Sequence, residues 1–103
     1  MYLQEKQRGE KAMRKKKELF IPIVTLKPGA MGLAVYNLQL CLDQILKEKG
    51  KRKLTDHEPG HYGPMTENRV REFQSKYGLF VNGVYTPCTR LRIKEVLNAD
   101  RNI

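Results

Sequence analysis

The chain has 103 residues, 40% hydrophobic and 30% charged, which is one domain's length and the composition of a globular protein. Its 20 Lys and Arg against 11 Asp and Glu give a net charge of +9, which bears on partners and not on fold. No apolar run approaches the ~20 residues needed to cross a bilayer as a helix. Two cysteines, Cys41 and Cys88, are too few for a disulfide scaffold.

Residues 1–18 are polar and basic, with Lys6, Arg8, Lys11, Arg14, Lys15, Lys16 and Lys17, and Gly9 interrupts any helix there. The expectation is a flexible basic arm. Charges stand where the apolar core of a signal peptide would lie, so no export signal is read in it. The chain is then intracellular, in a plastid, or part of an exported precursor. Residues 19–31 are expected to form an extended lead-in and turn, because Pro22 removes a ladder donor from the apolar run Leu19 to Leu26.

Residues 32–103 are expected to fold into three helices. Val35, Leu38, Leu42, Ile45 and Leu46 draw one helical stripe, with Lys47 and Lys49 near its C-terminal end and Gly50 as its stop. Lys51 to Gly63 reads as a loop containing Pro59 and Gly60. Pro64 opens a second helix with a Thr66, Val70, Phe73, Tyr77 stripe, ended by Gly78. Leu79 to Val81 is an apolar link and Asn82-Gly83 a turn. Pro87 opens the third helix, whose apolar face is Ile93, Val96 and Leu97.

An internal repeat supports this map. Gly60, Tyr62, Pro64, Thr66, Val70 and Phe73 recur as Gly83, Tyr85, Pro87, Thr89, Ile93 and Val96, all at an offset of 23 residues. A turn, an aromatic, a Pro-started helix and two core positions are built twice.

The spaced residues Leu26, Gly29, Gly32, Val35, Leu38, Gln39 and Leu42 resemble the opening signature of peptidoglycan-binding domains. Gly60, Tyr62, Gly63, Thr66, Val70, Phe73, Gln74, Gly78 and Leu79 resemble the central signature, and Val81, Gly83, Thr89 and Ile93 the closing half. The three parts stand in order over residues 26–97. The resemblance implies an all-α, three-helix module with a shallow groove that binds the bacterial cell wall, usually alongside a hydrolase. The chain departs from the pattern at Pro59, where the family usually carries Asp, at Asn82, where it usually carries Asp or Thr, and in a longer, more basic first loop with Lys51, Arg52 and Lys53.

No constellation for catalysis is visible. His57 and His61 are four apart, but Pro59 and Gly60 between them preclude a helical metal pair. Cys88 follows Pro87 at a helix start and is weighed as a reactive thiol, Cys41 as half-buried packing. The acids are scattered, without the paired carboxylates of a glycosidase. The expectation is a non-enzymatic module without cofactor or metal. Tyr62 and Tyr85 are read either as packing at the helix starts or as platforms for sugar faces. Arg69, Gln74, Lys76 and Asn82 are the hydrogen-bonding candidates beside them, and Gln74 has the further reading of bonding to a turn backbone. Arg14, Lys15, Lys16, Lys17, Lys51, Arg52 and Lys53 are the candidates for gripping a polyanion. The partner is then peptidoglycan or a wall hydrolase, or alternatively nucleic acid, a ribonucleoprotein or an acidic protein.

Overall fold

The computed structural model describes residues 19–48 and 50–101. Three long helices form, α1 (Leu33–Ile45), α3 (Pro64–Lys76) and α4 (Pro87–Arg101), with a one-turn helix α2 (Leu54–His57) between the first two. The chain is helical, and no strand occurs among the described residues. Helix α1 packs against each of the other three.

The helical stripes account for the core. Val35, Leu38, Cys41 and Leu42 of α1, Val70 and Phe73 of α3, and Ile93 of α4 are fully buried, joined by Leu54 of α2 and by Leu46 and Leu97. Each such side chain contributes roughly 1.5–3 kcal/mol through removal from water. Phe73 and Tyr77, one turn apart, bring their rings to 4.7 Å. Cys41 is fully buried rather than half-buried, because its position falls between Leu38 and Leu42 on the inward arc. Burial pushes its thiol up to about 12.

The first loop differs from expectation. Helix α1 stops at Ile45, capped by Leu46, short of Lys47 and Gly50. Lys49 and residues 1–18 lie outside the described residues. The segment 51–63, expected as plain loop, contains α2. Its start is held by Asp43 of α1, whose carboxylate accepts from the Leu54 and Thr55 N–H groups at 2.7 and 3.2 Å and from the Thr55 hydroxyl at 3.0 Å. These satisfy helix-start N–H groups that have no intrahelical partner. Leu54 then anchors the turn in the core.

The lead-in runs across both repeated corners. Leu26 and Tyr85 exchange backbone hydrogen bonds at 3.1 and 2.8 Å. The Gly29 N–H donates to the Tyr62 carbonyl, the Tyr62 N–H to Ala30, and the Gly32 N–H to Gly60, each at 2.9 Å. Pro22 lacks an N–H, and its carbonyl accepts from the Tyr85 hydroxyl at 2.6 Å. The corners lie side by side, since the Tyr62 hydroxyl donates to the Gly83 carbonyl at 2.7 Å.

Each corner is closed by a buried glutamine from the preceding long helix. Gln39 Oε1 accepts from the Gly60 N–H at 2.8 Å, while its Nε2 donates to the Glu58 carbonyl at 2.7 Å and the Thr66 hydroxyl at 2.9 Å. Gln74 repeats this: Oε1 accepts from the Asn82 and Gly83 N–H groups at 3.0 Å, and Nε2 donates to the Val84 carbonyl at 3.0 Å and the Thr89 hydroxyl at 3.1 Å. A backbone N–H only donates, so it dictates which end of each amide faces it. The turn glycines sit at φ 74° and 75°, the left-handed region that side chains with a Cβ avoid.

Helix α3 has no side-chain cap of its own at Gly63. Glu58 reaches across instead, accepting from the Met65 and Thr66 N–H groups at 3.1 and 2.9 Å and from the Thr66 hydroxyl at 3.0 Å. Desolvation favours its neutral form, but these donors outweigh that and hold the carboxyl below the usual glutamate range.

Gln39→Ala and Gln74→Ala are each expected to destabilise the domain by about 2–3 kcal/mol, since the first leaves the Gly60 N–H and the second the Asn82 and Gly83 N–H groups without their acceptor. Urea unfolding measures this. Glu58 contributes stability that is complete above the unfolded-state glutamate pKa of about 4.3 and lost as pH falls through its depressed folded value. The stability gap between the wild type and Glu58→Gln is therefore expected to be largest near neutral pH and to shrink towards zero at about pH 2–3, as read from unfolding curves across that range.

Candidate functional site

The structure turns the two corner tyrosines inward. Tyr62 and Tyr85 are 2% and 0% exposed, with both hydroxyls bonded to backbone carbonyls. Burial, the largest influence on each, pushes both hydroxyls well above the ordinary tyrosine range, with the Glu67 charge adding to it at Tyr62. Swinging either ring out to a sugar would lose about 2–3 kcal/mol of burial and orphan a carbonyl acceptor. In this structure both rings pack at the helix starts, and neither is presented to solvent as a platform. Gln74, 1% exposed, spends its amide on the second corner and offers a ligand nothing. Asn82 is partly buried there too: its Oδ1 accepts from the Val84 N–H at 2.9 Å and from Gln74 at 3.1 Å. Lys76 is exposed and stands 5.8 Å over the Tyr77 ring.

Arg69 lies elsewhere than those corners. It projects from α3 beside the α1–α2 loop and donates to the Arg52 carbonyl at 2.7 Å. With Lys51, Arg52 and Lys53 it lines a cleft of about 370 Å³. The remaining walls include Leu40 and Gln44 near the end of α1, Lys47 just beyond it, and Leu19 of the lead-in. Sequence reading placed Arg69 and Lys51 to Lys53 in separate sets; the fold brings them together because α2 folds the loop back against α3. Arg14 to Lys17 lie outside the described residues.

Charges within the cleft are unevenly committed. Asp43 spends its carboxylate on the start of α2. Lys51 pairs with Glu72 at 2.5 Å and Glu48 at 3.3 Å, and the hydrogen bond it donates to Glu72 raises its pKa against a smaller opposing desolvation. Arg52 and Lys53 are exposed. Net positive charge therefore faces the opening. Such a site can bind an anionic group through Arg and Lys donors.

His57 and His61 are both exposed. Among the described residues no group of three or more His, Cys, Asp or Glu side chains is placed to hold a metal ion. Cys88 is exposed at the start of α4. The exposed aromatics Phe20, Tyr36 and Phe80 are not among the side chains that line the cleft, although Phe20 directly follows Leu19, which does.

Two residues with organising roles, Asp43 and Glu58, escaped the sequence reading. A signal existed for Glu58, since it stands eight residues before Thr66, but its partners are fixed only once the loop closes.

Residues 32–93 match the family model described as "Putative peptidoglycan binding domain". Over 70 residues, 68% of this chain, the sequence is 33% identical to a Bacillus licheniformis protein named "Probable N-acetylmuramoyl-L-alanine amidase". Over a similar 70 residues it is 31% identical to N-acetylmuramoyl-L-alanine amidase CwlL of the same organism. The chain spans only 20% and 19% of those relatives' lengths. The crystal structure of the SleB N-terminal domain superposes with a TM-score of 0.57 at 27% identity, covering 76% of this chain and 96% of that one. The family match extends from the residue before α1 into the second turn of α4 and takes in both glutamine-closed corners, and on it this chain belongs to the peptidoglycan binding domain family.

Proposed function

We propose that this chain is a non-catalytic module that binds peptidoglycan and holds a linked or partner hydrolase at the wall. The observation that carries this reading is the family match over residues 32–93. The two amidases support the second half: their likeness to this chain is confined to about a fifth of each protein, leaving most of their length for other work. A module of this kind acts by effective concentration, turning a search for substrate into a local event without new contacts at the reacting bond.

The cleft beside α2 is the surface offered for that binding. It is concave and within the usual volume range of ligand sites. The polymer carries carboxylates on its peptide stems, which complement the charge of Arg52, Lys53 and Arg69.

Co-sedimentation with purified insoluble peptidoglycan tests the proposal. The expected result is retention at about 0.15 M salt that outlasts retention on heparin resin as salt is raised. The double variant Arg52→Gln, Lys53→Gln is expected to lower retention about fivefold to thirtyfold, each charge contributing on the order of 0.5–1 kcal/mol. No retention on peptidoglycan would overturn the proposal, and equal retention on heparin would identify a general polyanion binder.

A further inference from the structure

We infer that the cleft recognises the carboxylate-bearing peptide stems of peptidoglycan rather than its sugar rings, an assignment that rests on the wall-binding reading above. Sugar rings present C–H faces, and proteins hold such faces against exposed aromatic rings. None of the side chains lining the cleft is aromatic. The two tyrosines that sequence spacing offered as platforms are buried and hydrogen-bonded inside the fold.

What the cleft does present is a basic rim over an apolar wall. Lys47, Arg52, Lys53 and Arg69 line it, with Leu40 and Leu46 among the apolar side chains beside them. Its two acids are already engaged, Asp43 with the start of α2 and Glu48 with Lys51. Arg69 is the best-placed recognition group. One guanidinium nitrogen is tied to the Arg52 carbonyl, which restrains the side chain and leaves its other N–H groups for a ligand. A planar guanidinium fork suits a carboxylate, and a restrained one loses less entropy on binding. Stem peptides combine carboxylates with alanine methyl groups, so a basic rim over leucines matches both parts of that chemistry.

The test is an amide-shift titration of the full chain with three probes. These are the tripeptide L-alanyl-γ-D-glutamyl-meso-diaminopimelic acid, the same peptide with its carboxylates converted to carboxamides, and tetra-N-acetylchitotetraose. The acidic tripeptide is expected to shift amides of the α1–α2 loop and those around Arg69. Its affinity is expected to fall about tenfold in Arg69→Gln and in Lys53→Gln, the loss of one charge-assisted contact each, and by about tenfold or more on conversion to the carboxamide, which removes every carboxylate. Each variant's remaining amide spectrum reports that it is folded. Chitotetraose is expected to leave the cleft amides unmoved. Shifts of those amides by chitotetraose, equal binding of the carboxamide peptide, or no response to the acidic peptide would each overturn the assignment. Retention on whole peptidoglycan together with any of these leaves wall binding standing and removes only the peptide preference. Absence of that retention removes the reading on which the preference rests.

Discussion

Two buried glutamine amides, Gln39 and Gln74, are the constraint on which the rest of the fold depends. A small helical domain must turn its chain tightly between long helices, and each turn leaves backbone donors and acceptors without helical partners. Burying a glutamine is costly unless its amide is fully paired. Here both ends of each amide are used, the oxygen on turn N–H groups and the nitrogen on a turn carbonyl and the first-turn Thr of the next helix. One side chain thus ties a helix, a corner and the following helix together. The same device appears twice, and the lead-in hydrogen-bonds across both copies.

That arrangement decides where a ligand can bind. Once the corners are closed, Tyr62 and Tyr85 become part of the structure, and the polar atoms around them are consumed. Among the described residues, a concave surface that keeps uncommitted charge is the cleft formed where the end of α1, the α1–α2 loop and α3 meet. It owes its shape to Asp43 and Leu54. Asp43 fixes the start of α2, Leu54 seats it in the core, and the loop's basic residues are thereby carried towards Arg69. The basic first loop and the location of the cleft are therefore one feature.

Much of the fold was legible because its signals are local. Helix periodicity located α1, α3 and α4, the prolines at 64 and 87 marked two helix starts, and Gly60 and Gly83 marked two corners by their offset. The reading of Gln74 as a partner for a turn backbone was local too, since it follows core Phe73 directly. The remainder depended on contacts distant in sequence. Helix α2 has a single buried residue and therefore no periodicity, and its cap comes from Asp43, eleven residues upstream of Leu54. Spacing identified the corner tyrosines as a pair, but not which way they face, because that depends on the Gly83 carbonyl of the second corner for Tyr62 and the Pro22 carbonyl of the lead-in for Tyr85. The approach of Arg69 to Lys51, Arg52 and Lys53 could not be read for the same reason.

The most direct probe of the glutamine clasps is hydrogen exchange at the side-chain amide nitrogens of Gln39 and Gln74, followed by NMR. If both amides are locked between turn and helix, their protons exchange only when the domain opens globally, with protection matching the slowest core backbone amides. Exchange as fast as that of the exposed Gln44 amide would contradict the account, since it would show the corners standing without the clasps.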